Sequence, residues 1–365
     1  SMRLSYPALN IITDSLNTVS VETLSDTIKA LEKVSVSGHI ADENGIMEGF
    51  DGIVYPVVYD KPTLLSTLGN DGGNTKLFNI RNNIIFKGKA SVVNGKFYFE
   101  FIVPKDINYN PGNGKFSYYA ADSLIDASGA FENFMVGGTY SNALDDDTSP
   151  DIDIFMNNEN FRDGGMTDEN PVLFVKVFDS SGINTTGNIG HDITASIDGD
   201  YQNNFELNDY YQSELDDFQR GYVEYPLFSL TEGWHRVEVK VWDVNNNSSD
   251  GSLDFLVVKS EELLMENLLN FPNPFTENTK ISFDHNKGGQ DLDISIDIFS
   301  MSGELIRTMK VKQYSSGFRS DPIEWNGMGD NGTNSRQGTY IYRITVESED
   351  GRKATNSGKM IILRE

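Results

Sequence analysis

At 365 residues the chain has material for two or three domains, each with a core of its own. Its 55 Asp and Glu against 29 Lys and Arg give a net charge of -26, which repels phosphate backbones and anionic membrane surfaces and argues against a nucleic-acid partner. There is no cysteine, which removes disulfides, thiolate nucleophiles and Cys-based zinc sites, and no apolar run reaches the roughly 18–20 residues of a membrane span.

In chain order, residues 3–12 read as one extended apolar segment. Val21, Leu24, Ile28 and Leu31 then fall at helical spacing behind Ser20 or Asp26 as cap, which predicts one short N-terminal helix. From Val34 onward, short β-rich runs alternate with turn clusters, the pattern of an all-β protein of tandem Ig-like sandwiches. A first set of strands is predicted over 34–40, 50–60, 83–93, 96–103 and 115–121, with Asn94-Gly95 as a two-residue hairpin turn. Asn, Asp and Gly break the pattern over 137–150, where a domain boundary is expected. A second set follows at 151–156, 172–178, 192–198, 221–227, 233–243 and 252–258, with Val237, Val239 and Val241 on one face and Trp242 on the other. Glu261 to Asn270 reads as a linker, and a last β module opens at Phe271-Pro272-Asn273-Pro274-Phe275. The domains expected are therefore 1–33, 34–148, 149–260 and 261–365.

The residues that carry chemistry are few. Four histidines, at 39, 191, 235 and 285, share no metal-ligand spacing, and His191-Asp192 would point to opposite faces of a strand, so His191 reads as structural. No GxSxG elbow supports a serine hydrolase. Asp145, Asp147, Asp151 and Asp153, with Asp146 among them, form the candidate metal set, and Ca²⁺ is the ion that oxygen ligands suit. Asp243 to Asp254 resembles the start of an EF-hand loop, but Ser248 replaces the required Gly and Asp254 the bidentate Glu, so Asx-turns explain it as well. Most aromatics alternate within strands, as Phe97, Phe99 and Phe101 do. Tyr109, Tyr118, Tyr119, Tyr201, Tyr210 and Tyr211 are left as candidates for exposed stacking.

The last module, from Pro272-Asn273-Pro274 through Trp325-Asn326-Gly327 and Gly338 to Ile344 to Lys359 to Leu363, resembles the C-terminal sorting domain of proteins exported by the type IX secretion system of Bacteroidetes, a module related to the Ig-like fold of FlgD. Arg3-Leu4-Ser5-Tyr6-Pro7 is similar to the close of the caspase-like domain of gingipain-type cysteine peptidases. Asp26 to Leu31, Gly114 to Ala120, Asp151 to Ile154, Gly190 to Ile193 and Gly233 to Ser248 resemble the region C-terminal to that domain in the family's sortase branch. The resemblance implies that residues 1–33 close an upstream peptidase domain and that the β domains scaffold it. It also implies localisation at the cell surface on the outer membrane, reached through the periplasm. The implied partners are an outer-membrane β-barrel docking protein and the sorting domains of cargo, which the upstream domain cleaves. Gly338, Tyr340 and Lys359 are the sorting or docking residues it implies. Ser1-Met2 ahead of Arg3 reads as an upstream cut that leaves a cloning remnant, which would place the Cys nucleophile outside this sequence. The competing reading is a secreted cargo protein whose sandwiches bind glycan or an adhesion partner.

Overall fold

The computed structural model describes residues 9–24, 27–70, 72–143, 145–186, 190–258 and 263–363, so Arg3 to Pro7 lie outside the described residues. The chain divides into two compact units: residues 1–154, 175–225 and 237–252 in the first, and 155–174, 226–236 and 253–365 in the second.

In the first unit the strands pair in a ring. Leu9–Leu16 pairs in parallel with Asp126–Phe131 and antiparallel with Lys33–Asp42. The circuit continues through Lys115–Ala121, Gly52–Tyr59, Ala90–Val93 and Lys96–Ile102 back to Lys33–Asp42. Closure leaves this sheet without open edges along the circuit, which protects the ladder from foreign strands. The segment expected to close an upstream domain thus contributes Leu9–Leu16 to the ring. Period-2 burial drives the assembly: Val34, Val36, Ile40, Phe97, Phe99, Phe101, Phe116 and Tyr118 point into one core. Phe101 and Phe86 stack with ring centroids 4.7 Å apart. The Asn94-Gly95 turn forms as expected, with φ of 51° and 72° between Val93 and its partner Lys96.

The N-terminal helix does not form. Thr27–Ala30 is a strand parallel to Met135–Thr139, with Ile28 and Ala30 buried and Thr27 and Lys29 half-exposed. Leu31 takes a left-handed φ of 62°, which ends the strand. Period 2 over four residues outweighed an i, i+3/i+4 coincidence, because a half-buried edge satisfies both faces. Among the described residues the sole helical turn is a 3-10 turn at Asn208–Tyr210.

Two further sheets run in the orders Asp151–Met156, Val172–Phe178, Asp217–Pro226, Tyr211–Glu214 and Gly165–Thr167, Ser248–Val257, Gly233–Trp242, Thr194–Ile197, Phe205–Glu206. Val237, Val239 and Val241 are buried and Trp242 is half-buried, the alternation read from the sequence.

In the second unit, residues 265–362 supply seven strands in two sheets. One has the order Met265–Phe271, Thr279–His285, Ile323–Trp325; the other Leu305–Ser315, Gln290–Ser300, Gly338–Ser348, Lys353–Ile362. Trp325, Tyr342, Ile296, Ile344, Met360 and Ile362 lie in their shared core. The segment expected as a linker is instead the strand Met265–Phe271. A bulge between Glu266 and Leu269, with Asn267 at φ 47°, breaks its alternation and hides it from pattern reading.

Candidate functional site

Turns that are far apart in sequence meet in the first unit. Asp106, which follows the strand Lys96–Ile102, is the hub of one network. Its Oδ2 accepts from Asn184 Nδ2 at 2.9 Å and pairs with His191 Nδ1 at 2.6 Å, while its Oδ1 accepts from Asn246 Nδ2 at 2.8 Å. The Lys105 amide adds a bond to the Val244 carbonyl at 2.8 Å. His191 packs on Trp242 with ring centroids 4.4 Å apart. His191 therefore pairs with Asp106, not with its neighbour Asp192, and among the described residues no hydroxyl bonds to it. The network holds the Lys105-Asp106 turn against the turn after Trp242.

Beside it lies a group of three carboxylates. One oxygen each of Asp146, Asp179 and Asp243 falls within 4.8 Å of the others, and Asp179 and Asp243 are buried. Each is held by its own turn. Asp243 Oδ1 accepts from the amides of Asn245 and Asn247 at 2.9 and 2.7 Å, and its Oδ2 from Asn247 Nδ2 at 2.7 Å. Asp179 Oδ1 accepts from the amide and hydroxyl of Ser181, both at 2.7 Å. Asp146 Oδ1 accepts from the amide of Thr148 at 3.0 Å, and the Asp146 carbonyl accepts from Asn247 Nδ2 at 3.0 Å.

Burial dominates the electrostatics here. Desolvation pushes the Asp243 carboxyl up to about 6, against the hydrogen bonds from Asn247 and with help from the charge of Asp179. Desolvation likewise raises Asp179, while Asp146 sits below its ordinary range because bonds from Thr148 and Ser181 outweigh desolvation. Burial of this kind favours the protonated form of Asp243 and Asp179, and clustered carboxylate oxygens are the ligand type that a hard cation takes. Of the residues expected to bind metal, Asp145, Asp147, Asp151 and Asp153 are exposed, and the structure does not gather them. It takes Asp146 from that segment and Asp243 from the second acidic run, and adds Asp179. The sequence carries one signal for Asp179, its Asx-turn stretch Asp179-Ser180-Ser181-Gly182.

Of the tyrosines considered for stacking, Tyr118 and Tyr211 are buried, whereas Tyr109, Tyr119, Tyr201 and Tyr210 are exposed.

In the second unit the Phe271-Pro272-Asn273-Pro274-Phe275 segment clasps the last strand. Asn273 Nδ2 donates to the Lys359 carbonyl and its Oδ1 accepts from the Ile361 amide, both at 3.0 Å. Phe275 bonds to Ile361 and Leu363 through its backbone, and its ring meets Trp325 edge-on at 5.7 Å. Gly338 sits at φ 152° opposite Ile362, and Lys359 projects to solvent. Tyr340 is 7% exposed with its hydroxyl donating to the Arg336 carbonyl at 2.8 Å, so its ring belongs to the core.

This all-β architecture ends in a recognised export module: residues 270–362 match the family described as "Secretion system C-terminal sorting domain". The chain is a β-domain protein associated with the type IX secretion system. Over its full length it is 31% identical to the dimeric latent PorU of Porphyromonas gingivalis, covering 35% of that chain with a TM-score of 0.44, and it is a PorU-like C-terminal region. It spans about a third of the PorU chain. Fibronectin(III)-like modules of Clostridium thermocellum CbhA align at 9% identity, 58% of this chain, 93% of theirs and a TM-score of 0.23. The FN1-FN3 domains of chicken CNTN1 align at 9% identity, 99% of this chain, 100% of theirs and a TM-score of 0.23. No curated protein sequence matches the chain. Among the described residues no helix is long and apolar enough to cross a membrane.

Proposed function

We propose that the chain is the non-catalytic C-terminal β region of a gingipain-type surface sortase, one that scaffolds the catalytic domain and docks it to an outer-membrane β-barrel through the sorting module. The observation that carries this reading is the 31% identity to PorU along the entire chain, sorting module included. The absence of cysteine fits it, since a chain without a thiolate leaves the peptidase chemistry to residues outside this sequence.

The test lies in the full-length protein. Truncation inside the last strand would strip Met360 and Ile362 from the core and confuse unfolding with lost docking. Removal of residues 263–365 as a whole, beside the exposed point variant Lys359→Glu, separates the two. The deletion is expected to leave a folded catalytic domain in the periplasm and cargo with uncleaved sorting domains. A deleted form that still reaches the surface and processes cargo would refute the docking role.

A further inference from the structure

The outer face of the hairpin that carries Trp242 holds a cleft of about 340 Å³ that the export reading does not use. Strands Thr194–Ile197 and Gly233–Trp242 pair with Ser196 opposite Glu238 and Thr194 opposite Lys240. Ala195 and Val239 turn into the core, so these four polar side chains share the outer face. Asp250 closes one side, 3.5 Å from Lys240 Nζ. The loop after Ile197 closes the other and brings Tyr201 and Asn204 over the sheet.

Tyr201 is 65% exposed, yet its ring is not free to swing, because its hydroxyl donates to Glu238 Oε2. The loop is pinned in turn by Asp200, which accepts from the Gln202 amide and from Asn203 Nδ2. Beneath lies Ser196, 4% exposed, whose hydroxyl has no hydrogen-bond partner among the described residues. A hydroxyl left without a protein partner at the floor of a cleft is one that a ligand hydroxyl can satisfy.

The chemistry of the walls selects the occupant. An apolar ligand would leave Ser196, Thr194 and Asn204 unpaired. An anion would meet Glu238 and Asp250, and the one ammonium is already paired with Asp250 and lies 4.9 Å from the Trp242 ring. A neutral sugar ring matches the remaining chemistry: a C–H face to lie on the fixed tyrosine and a rim of hydroxyls that both donate and accept. The volume, at the lower end of the roughly 300–1,000 Å³ usual for ligand sites, suits one or two sugar units.

We propose that this cleft is a binding site for a neutral pyranoside, stacked on Tyr201 and hydrogen-bonded through Ser196, Asn204 and Glu238. Such a site is independent of the sortase reading. The experiment is an amide NMR titration of the intact chain with the methyl glycosides of glucose, galactose, mannose and N-acetylglucosamine and with their disaccharides. Expected is saturable binding by at least one of them, with Kd on the order of 1 mM and shifts confined to 194–204 and 238–252. Tyr201→Ala should weaken it about tenfold or more, and Tyr201→Phe, which keeps the ring and loses its anchor, by less. Both variants change a surface side chain, so the amide spectra should otherwise match the parent chain. No saturable shift with any of these sugars would overturn the proposal, and so would shifts elsewhere or binding that survives Tyr201→Ala intact.

Discussion

At the scale of single residues, two tryptophans that look alike in the sequence carry different loads. Trp325 is 1% exposed, donates to the Met328 carbonyl at 2.9 Å and packs edge-on with Phe275 and Tyr340. Trp325→Ala should cost about 3–5 kcal/mol, the range for truncating a large buried aromatic. Trp242 is half-buried on the outer face, so Trp242→Ala should cost less, about 1–2 kcal/mol. Denaturant midpoints of the two variants check the ranking, and an equal loss would contradict it. Asp243 supports a second expectation. Folded, it keeps its proton to about pH 6; unfolded, it releases it near 3.8, so between those values the folded state binds more protons. Stability should therefore fall as pH rises from about 4 to about 6 and stay lower above. Asp243→Asn should flatten that slope in pH-dependent melts. At pH 7, above the range in which Asp243 titrates, Ca²⁺ should raise the melting temperature of the parent chain and not of Asp243→Asn; an unmoved melt would mean that the group holds no cation. The sequence marked the segments of Asp146 and Asp243 but not their meeting with Asp179, because which turns touch is decided by strand pairing over long separations.

Among the elements, period-2 runs were legible wherever both ladder neighbours are regular. Lys96–Ile102 and Lys115–Ala121 alternate cleanly because each faces one core on one side. The failures share a cause. Thr27–Ala30 is too short for its period to outvote a chance helical spacing, and Met265–Phe271 loses its period at a bulge. The Pro272-Asn273-Pro274 motif was legible as non-helical, but its work was not, since that work is a clasp across to Lys359 and Ile361. Asn273→Ala removes both bonds of the clasp. At about 0.5–1.5 kcal/mol per bond, local stability should drop by about 1–3 kcal/mol. Hydrogen exchange at the Ile361 amide should then accelerate about tenfold while Ile344, in the central strand, keeps its protection. Equal acceleration at both amides would show that Asn273 supports the whole module and not its last strand.

For the whole molecule, charge separates the export module from the rest more sharply than any loop does. Residues 1–260 hold 39 Asp and Glu against 17 Lys and Arg, whereas residues 270–362 hold 12 against 11. Self-repulsion is thus concentrated ahead of the module, and screening it should raise the stability of the upstream β domains while leaving the module nearly unmoved. The module also meets the requirements of independence. It has seven strands, a core from Leu263 to Ile362, and a clasp that ties its first segment to its last strand. A piece spanning 263–365 is therefore expected to fold alone, although a boundary at 270 would have cut through the strand Met265–Phe271 and removed Leu263, Met265 and Leu268 from the core. Expressed separately, the 263–365 piece should give a dispersed amide spectrum and a cooperative melt whose midpoint moves little between low and about 0.5 M salt. The 270–365 piece should be measurably less stable, by the roughly 2–5 kcal/mol that lost burial of two or three such side chains implies. If both pieces give the same melt, the first strand is a passive cover; if the longer piece is undispersed, the module depends on the chain before it and is not an independent domain.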